Sequence, residues 1–348
     1  MAKQKTLTVI TGFSLKDKCD VIRKMQEKNP NNRKVILFRP TDVQLALRSE
    51  EDPFSLTHFI SEAVHHLEIN TITNLIYTLE DEFHTNHTDE IILDIYPISH
   101  VDTLFASLAS LSARLTSLVM SHIHIINARD FWFTYFSEHA IEVNEFDSEI
   151  SIEYTFGETL IHQLEHAEAI YLTNTDELSH ERVGEISVFI QNLQPNAVVE
   201  RLKEVEYQNE HKGTFYNIEE EAKQLYNDQI KLFSSRRSLQ VIGQYGIDTF
   251  VYKSVFPVDF RLLEQFFTKI PSDVFRMKGR CYNLSTQELH CISQVGSSIQ
   301  VDTNEFYFTN QKDVLTEFLF IGSEVNQEEI EKMLNDCLQI TYENKIAY

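Results

Sequence analysis

Histidines and carboxylates near residue 65 have the residue types and the spacing of a metal site. His65 and His66 are adjacent, and Glu62 and Glu68 flank them. Neutral imidazole and carboxylate oxygen both ligate zinc. Glu62 and His66 are four residues apart, so on a helix they would share a face and could chelate one ion. We therefore predict a zinc site at Glu62, His65 and His66; the alternative is two ordinary surface histidines.

Two further histidine pairs have spacings that suit a shared ligand. His84 and His87 lie in the acidic stretch EDEFHTNHTDE, where H-x-x-H spacing could bind a cation. A solvated acidic loop is the simpler interpretation of that stretch. His122 and His124 alternate in a β-rich run, so they share one face of a strand. They are either paired ligands or a buried polar pair.

The run from His162 to His166 reads H-Q-L-E-H, which matches the H-x-x-E-H pattern of inverted zinc proteases. The pattern fixes only three positions, and the chain contains 14 histidines. The run also falls on a predicted helix of an α/β domain. We therefore interpret it as an ordinary helix rather than as a protease site.

The four cysteines, at positions 19, 281, 291 and 337, form no CxxC pair and no disulfide framework. Cys281, Cys291 and His290 could form a small metal site, although isolated buried thiols are the simpler account. The amino terminus has no signal-peptide pattern, and the most apolar stretch, 104–126, contains Arg114, serines and histidines. We expect a cytoplasmic protein that does not enter a membrane.

The net charge of the chain indicates which classes of partner it can bind. The 348 residues include 53 acidic and 30 basic side chains, giving a formal net charge of −23. Binding to nucleic acid normally needs a basic face that displaces phosphate counterions. We therefore expect no nucleic-acid partner.

Buried β-rich runs alternate with helical patterns over the first two thirds of the chain. This alternation indicates parallel βαβ units. The strands are predicted at Thr6–Thr11, Lys34–Phe38, Glu90–Ile95, Ile123–Ile126 and Ala169–Leu172, and the helices near 55–83, 100–119, 157–167 and 178–193.

Three segments follow from this pattern. Residues 1–205 form an α/β domain, and residues 206–240 are rich in Glu, Lys, Gln and Asn and are interpreted as a charged linker or helix. Residues 241–348 form a smaller α+β domain. Its strands are predicted at Asp248–Val255, Val274–Asn283 and Glu317–Ile321, and its helices near 258–269 and 327–338.

The opening, LTVITGFSLKDKCDVIRKM, has the pattern of a strand, a loop and a helix, and SHIHIINARDFW, FGETLIHQLEHAEAIYLTNTDEL and LQPNAVVERL follow it along the chain. In this order, these stretches resemble the CobW family of P-loop GTPases and metallochaperones. The runs YGIDTFVYKSVFPVDFRLLEQFF and EFLFIGSEVNQEEIEKMLNDCL resemble its C-terminal domain. The resemblance implies a P-loop NTPase-like, mostly parallel sheet with helices on both faces, followed by a CobW C-terminal domain.

The resemblance also shows where the P-loop departs from G-x-x-x-x-G-K-[ST]. Gly12 and Lys18 are retained, but Asp17 replaces the second glycine and Cys19 replaces the magnesium-binding hydroxyl. A carboxylate near the phosphates repels them, and a thiol is a poor ligand for the hard Mg²⁺ ion. These changes indicate weak or lost GTP binding and hydrolysis.

The other nucleotide motifs are altered as well. The acidic switch region falls at Asp94, followed by Pro97, which has no N–H to donate to a phosphate. The guanine-reading NKxD motif aligns with Thr173–Asp176, so only Asp176 keeps its role. By resemblance, the nucleotide contacts would be Gly12, Lys18, Cys19, Asp94 and Asp176.

The resemblance implies a protein of metal homeostasis or delivery, with zinc as the expected ion and GTP with Mg²⁺ poorly supported. The family's C-x-C-C metal motif has no cysteine counterpart here; its position corresponds to residues 63–66 (Ala-Val-His-His). A metal-dependent client protein is the expected partner, and the oligomeric state stays open. Two alternatives remain, namely a non-catalytic protein that regulates an intact paralogue and an atypical but active GTPase.

Overall fold

The structure is a computed structural model. It describes residues 5–28, 33–41, 43–46, 66–84, 88–115, 118–137, 139–144, 151–202, 241–283, 285–305 and 315–339. No helix within these ranges is long and apolar enough to cross a membrane.

The described residues divide into two compact units. The first consists of Met1–Val183 with Gln194–Tyr226, and the second of Gly184–Leu193 with Asn227–Tyr348. Each unit has its own sheet and its own core. The predicted linker at 206–240 lies outside the described residues, so the predicted domain limits stay predictions.

The amino-terminal part of the chain alternates strands with helices. Its elements are β1 (Lys5–Thr11), α1 (Leu15–Lys28), β2 (Arg33–Phe38), β3 (Val43–Ala46), β4 (Leu67–Ile69), α2 (Ile72–His84), β5 (Glu90–Ile95), α3 (Asp102–Arg114), β6 (Leu118–Asn127), α4 (Phe131–Tyr135), β7 (Ala140–Asn144), β8 (Ser151–Thr155), α5 (Phe156–Glu165), β9 (Ala169–Thr173), a 3₁₀ turn (Thr175–Glu177), α6 (His180–Leu193) and β10 (Val198–Arg201).

Seven of these strands form one sheet in the order β10-β9-β6-β1-β5-β2-β4, and every pairing in it is parallel. This confirms the predicted parallel sheet. Because the strands are parallel, their carboxyl ends meet at one edge, which is where open α/β sheets bind ligands. The ends of β1, β5, β6 and β9 therefore lie side by side.

Helices cover both faces of this sheet, as predicted. Leu7 and Val9 of β1 belong to a core that includes the buried faces of α2 and α3. Ile10, which points the other way, belongs to a second core with Val21 and Ile22 of α1. Residues Leu7–Thr11 of β1, which include two threonines, are all buried, as expected for a strand that is covered on both faces.

Some predicted elements have different limits. The helix predicted near 55–83 is helical only from Ile72 within the described residues, and Leu67–Ile69 are strand β4 instead. The helix predicted near 100–119 ends at Arg114, and β6 begins at Leu118. A small antiparallel sheet, β3-β7-β8, was not predicted.

Besides residues Gly184–Leu193 of α6, the described residues of the second unit form an antiparallel sheet and two helices. Its elements are β11 (Val241–Gln244), β12 (Ile247–Ser254), α7 (Phe260–Phe267), β13 (Val274–Asn283), β14 (Glu288–Val295), β15 (Ser298–Glu305), β16 (Thr316–Ser323) and α8 (Gln327–Asp336). The strand order is β11-β12-β16-β13-β14-β15. Buried residues of α7 and α8, including Leu263, Phe266, Ile330 and Leu334, share one core with the sheet. This confirms the predicted α+β domain.

Candidate functional site

The loop between β1 and α1 keeps the backbone feature that its first glycine requires. Gly12 has a φ of +137°, and a Cβ built on it would lie 2.2 Å from the carbonyl oxygen of Ile125 in β6. Only glycine accommodates both this torsion angle and this approach. The loop therefore holds a P-loop-like course against the neighbouring strand.

Lys18, in the first turns of α1, has no exposed surface, and neither has Asp94 of β5. The Lys18 ammonium donates to Asp94 Oδ1 at 2.6 Å and to the backbone oxygen of Ile95. The lysine that would reach a phosphate is therefore held in a buried ion pair with the carboxylate of the switch region.

Asp17 occupies the first turn of α1 and is also buried. Its Oδ2 accepts hydrogen bonds from the Thr173 hydroxyl at 2.8 Å and from the Asn174 side-chain amide at 3.3 Å. The first turn of a helix favours negative charge, and in a P-loop the phosphates supply it. Here Asp17 supplies that charge and links the loop to the end of β9.

The remaining nucleotide positions fit a nucleotide poorly. Burial, followed by the charge of Asp94, raises the pKa of the Cys19 thiol above its usual value, so this group stays a protonated, soft donor. Asp176 is exposed in the 3₁₀ turn after β9. The carbonyl oxygen of Pro97 accepts a hydrogen bond from Gln163. The residues present do not fit GTP with Mg²⁺.

A cavity of about 290 Å³ adjoins this loop. Its lining contains several apolar side chains and no lysine or arginine; it consists of Phe13, Ser14, Ile125, Ile126, Asn127, Asp130, Phe131, Thr134 and Leu160. A triphosphate needs cationic partners. The lining is therefore unsuited to a triphosphate.

Of the predicted metal residues, only His66 is described. It lies directly before β4 rather than on a helix, and its Nδ1 accepts from the backbone N–H of Val35 at 3.0 Å. His66 is therefore not in a helix, and its predicted chelation of one ion with Glu62 stays a prediction. Glu62 and His65 lie outside the described residues. His84 ends α2, and its predicted partner His87 is also outside them.

His122 and His124 of β6 do share one face, as predicted. The buried Thr11 hydroxyl lies 2.7 Å from His122 Nε2 and 2.8 Å from His124 Nδ1. Burial lowers the pKa of His122 to about 3 and that of His124 well below its usual value. The pair is a buried polar network around one hydroxyl.

The H-x-x-E-H run does not converge on one point. His166 Nδ1 lies 2.7 Å from the backbone oxygen of His162, one turn earlier, and its ring stacks on Phe105 at 4.9 Å. His162 points instead toward His100 and Asp102 at the start of α3. The protease pattern is therefore absent as a site.

The residues His100, Asp102 and His162 form a cluster that the sequence analysis did not predict. His100 Nε2 lies 3.1 Å from His162 Nδ1, and that nitrogen lies 3.2 Å from Asp102 Oδ2. Desolvation lowers the pKa of His100 to about 4, with the Asp102 charge opposing the change. Among the described residues, this cluster is the group with metal-ligating geometry.

The candidate metal site in the second unit does not form, because the side chains of Cys281, His290 and Cys291 do not all lie on one face of the sheet. His290 is paired with Cys281 across β13 and β14, so their side chains share a face of the sheet. Cys291 follows His290 in the strand and therefore points to the opposite face. Burial raises the pKa of the Cys281 thiol well above its usual value. These thiols are buried parts of the structure.

Comparison with known proteins supports the assignment of the second domain. Residues 247–338 match the family described as Cobalamin synthesis protein cobW C-terminal domain. Over the whole chain, similarity extends to the Zn(II)-bound YjiA GTPase from E. coli, at 14% identity and a TM-score of 0.40, covering 97% of this chain and 99% of that one. Nickel-bound HypB from Helicobacter pylori is similar at 11% identity and a TM-score of 0.29, covering 68% and 92%. Residues 247–338 therefore match the C-terminal domain of the CobW family, which confirms the resemblance to that family at these residues.

Proposed function

We propose that this protein is a CobW-type factor of zinc homeostasis or delivery. The loop between β1 and α1, which resembles a P-loop, supports only weak GTP hydrolysis or none. The observation that carries the second half of the proposal is the buried Lys18–Asp94 ion pair. The first half rests on the family match at residues 247–338 and on imidazole and carboxylate groups that favour Zn²⁺ among biological cations.

The ion pair matters because both charges are fully buried. To bind a phosphate, Lys18 must give up its hydrogen bonds to Asp94 and to the Ile95 carbonyl. Two unit charges 4 Å apart attract by ~4 kcal/mol at an effective dielectric constant near 20. Removing the lysine from this pair therefore carries a cost that a nucleotide would have to offset.

Asp17 adds a second opposing contribution. Its carboxylate lies in the helix turn where the phosphates of a bound nucleotide would accumulate negative charge. Two like unit charges 4 Å apart repel by a similar ~4 kcal/mol at an effective dielectric constant near 20. Cys19 offers no hard oxygen ligand to Mg²⁺, so the metal cannot screen that repulsion from this position.

Calorimetric titration with GTP and Mg²⁺ tests the nucleotide half of the proposal, together with a phosphate-release assay. The wild-type protein should bind GTP weakly and release little phosphate. The double variant Asp17→Gly/Cys19→Thr should bind GTP at least tenfold more tightly. Asp20→Ala is the matched control, because it removes an exposed carboxylate from the same helix.

Micromolar or tighter GTP affinity in the wild type, accompanied by steady hydrolysis, would contradict the proposal. An unchanged affinity in the double variant would show that the loop geometry, as well as its chemistry, opposes nucleotide. A gain in Asp20→Ala equal to that of the double variant would reduce the effect to general surface charge.

The metal half is tested by zinc titration of tag-free apo-protein. A zinc-handling protein should bind zinc reversibly and release it to a competing chelator, since delivery to a client requires exchange. Absence of zinc binding would leave a non-catalytic interaction protein as the function.

A further inference from the structure

We propose that His100, Asp102 and His162 bind a divalent transition-metal ion, zinc fitting best, in an exchangeable three-residue site. The proposal deepens the zinc function proposed above by naming its site. The proposed weakness of GTP binding depends on different side chains and is unaffected by this site.

The separations of the ligand atoms carry the proposal. His100 Nε2 and His162 Nδ1 are 3.1 Å apart, His162 Nδ1 and Asp102 Oδ2 are 3.2 Å apart, and His100 Nε2 and Asp102 Oδ2 are 3.6 Å apart. Around tetrahedral zinc, with bonds of ~2.0–2.2 Å, ligand atoms are separated by about 3.3–3.6 Å. The three separations therefore lie close to those of one face of such a tetrahedron.

Three different structural elements bring these atoms together. His100 ends the connection from β5, Asp102 is the first residue of α3, and His162 projects from α5. Gln163, beside His162, donates hydrogen bonds of 2.9 Å to the backbone oxygens of Pro97 and Ser99. These bonds hold α5 against the segment that carries His100, so little rearrangement is needed for a metal to bind.

The His100 ring is also held in place. It stacks on Tyr154 of β8 with ring centres 4.2 Å apart and planes 17° from parallel. Orientation of a histidine ring by its surroundings is a common property of metal ligands. A pre-oriented ring loses less side-chain entropy when the metal binds.

The cluster has more acceptor atoms than protons to share among them. His162 Nδ1 lies within hydrogen-bond distance of both His100 Nε2 and Asp102 Oδ2. A neutral imidazole nitrogen carries either one proton or one lone pair, so that nitrogen cannot both donate to Asp102 and accept from His100. A metal ion in place of the proton would satisfy all three atoms.

Accessibility supports exchange of the metal. The side chains of His100 and His162 are 11% and 20% exposed, whereas that of Asp102 is 48% exposed. An ion can therefore enter from the Asp102 side. Three protein ligands leave one tetrahedral position for water or a client's ligand, unlike the closed four-ligand sites of structural zinc.

The test uses full-length, tag-free apo-protein and two probes. Zinc titration against a chromophoric chelator measures stoichiometry and affinity, and Co²⁺ binding gives the visible absorption bands of a tetrahedral site. We expect one site that produces tetrahedral Co²⁺ bands, and at least tenfold weaker binding in His162→Ala, His100→Ala and Asp102→Asn. The control His66→Ala should keep both the affinity and the bands, and circular dichroism should show that each variant is folded.

The outcomes separate the site from the proposed function. If the wild type binds no zinc, both fail. If it binds zinc and the variants bind equally well, zinc handling survives and this site is overturned. If the histidine variants do not fold, Asp102→Asn decides, because it keeps the size of the side chain and removes only the anionic ligand.

Discussion

Lys18 and Asp17 are adjacent residues of opposite charge that point to different strands. Lys18 reaches Asp94 at the end of β5, and Asp17 reaches Thr173 at the end of β9. In a nucleotide-binding protein these groups would meet the ligand. Here Lys18 bonds to a side chain of β5 and Asp17 to a side chain of β9, so both charged groups have their partners within the protein.

Removal of Lys18 tests how far this ion pair stabilises the fold. Lys18→Met should lower the free energy of unfolding by ~3–5 kcal/mol, because it leaves the Asp94 carboxylate buried without its lysine. The double variant Lys18→Met/Asp94→Leu should be more stable than the single variant. Urea unfolding followed through Trp132, the single tryptophan, measures both. A loss below 1 kcal/mol in Lys18→Met would contradict the buried ion pair.

Acidification should destabilise the protein through His122 and His124. Burial lowers both folded-state pKa values, to about 3 for His122, while unfolded histidine titrates near 6.5. Below pH 6.5 the unfolded chain therefore takes up protons that the folded chain does not, and stability falls toward pH 3. Each histidine contributes a slope of up to about 1.4 kcal/mol per pH unit.

The variant His124→Gln isolates the contribution of His124 to this pH dependence, because glutamine cannot take up a proton. Its urea midpoint should fall less steeply between pH 6.5 and 5 than that of the wild type. Thr11→Val is the control, because it removes the shared hydroxyl but keeps both histidines. The pH slope should persist in Thr11→Val although overall stability is lower; equal slopes in wild type and His124→Gln would contradict the assignment.

At the scale of elements, the strands that are easiest to predict from the sequence are those with consecutive apolar residues. Strands β2 and β5 each contain consecutive buried apolar residues, Val35–Phe38 and Ile91–Leu93, so their positions were predicted closely. Strand β8 of the small β3-β7-β8 sheet, Ser151–Thr155 (SIEYT), is partly exposed and mixed in character. Such short segments have no clear period, so they were missed.

The cluster of His100, Asp102 and His162 shows why sites are harder to predict than strands. His100 and His162 are 62 residues apart in sequence, and only the packing of α5 against the β5–α3 connection brings them together. Sequence spacing favours neighbours such as His65 and His66. The H-x-x-E-H run contains His162, but it was interpreted as an ordinary helix and gave no indication of His100 or Asp102 as partners. The available signal was a histidine and an aspartate at the start of a predicted helix.

The contact between α5 and the β5–α3 connection should depend on Gln163. Gln163→Leu leaves the buried carbonyls of Pro97 and Ser99 without their donor, which should cost ~1–3 kcal/mol of unfolding free energy. Gln194→Leu is the matched control, since that glutamine also donates to two carbonyls but is partly exposed, so water can replace it. Hydrogen exchange of the backbone amides of residues 98–101 should accelerate only in Gln163→Leu. Equal effects in both variants would contradict a specific role.

At the scale of the whole molecule, the formal net charge of −23 sets how stability responds to salt. Excess like charge destabilises a compact state through self-repulsion. The Debye length falls from ~30 Å at 0.01 M to ~10 Å at 0.1 M ionic strength, so repulsion between exposed carboxylates is screened over that range. We expect the thermal midpoint to rise by about 2 °C or more from 0.01 to 0.15 M NaCl.

Scanning calorimetry with several chloride salts separates screening from specific binding. At equal ionic strength, NaCl, KCl and choline chloride should give the same rise, because screening depends on ionic strength rather than on the identity of the cation. ZnCl₂ at micromolar concentration should raise the midpoint further in wild type but not in His162→Ala, since an ion that binds only the folded state stabilises it by mass action. A midpoint that falls with NaCl would show that attractive surface ion pairs outweigh the repulsion of the net charge.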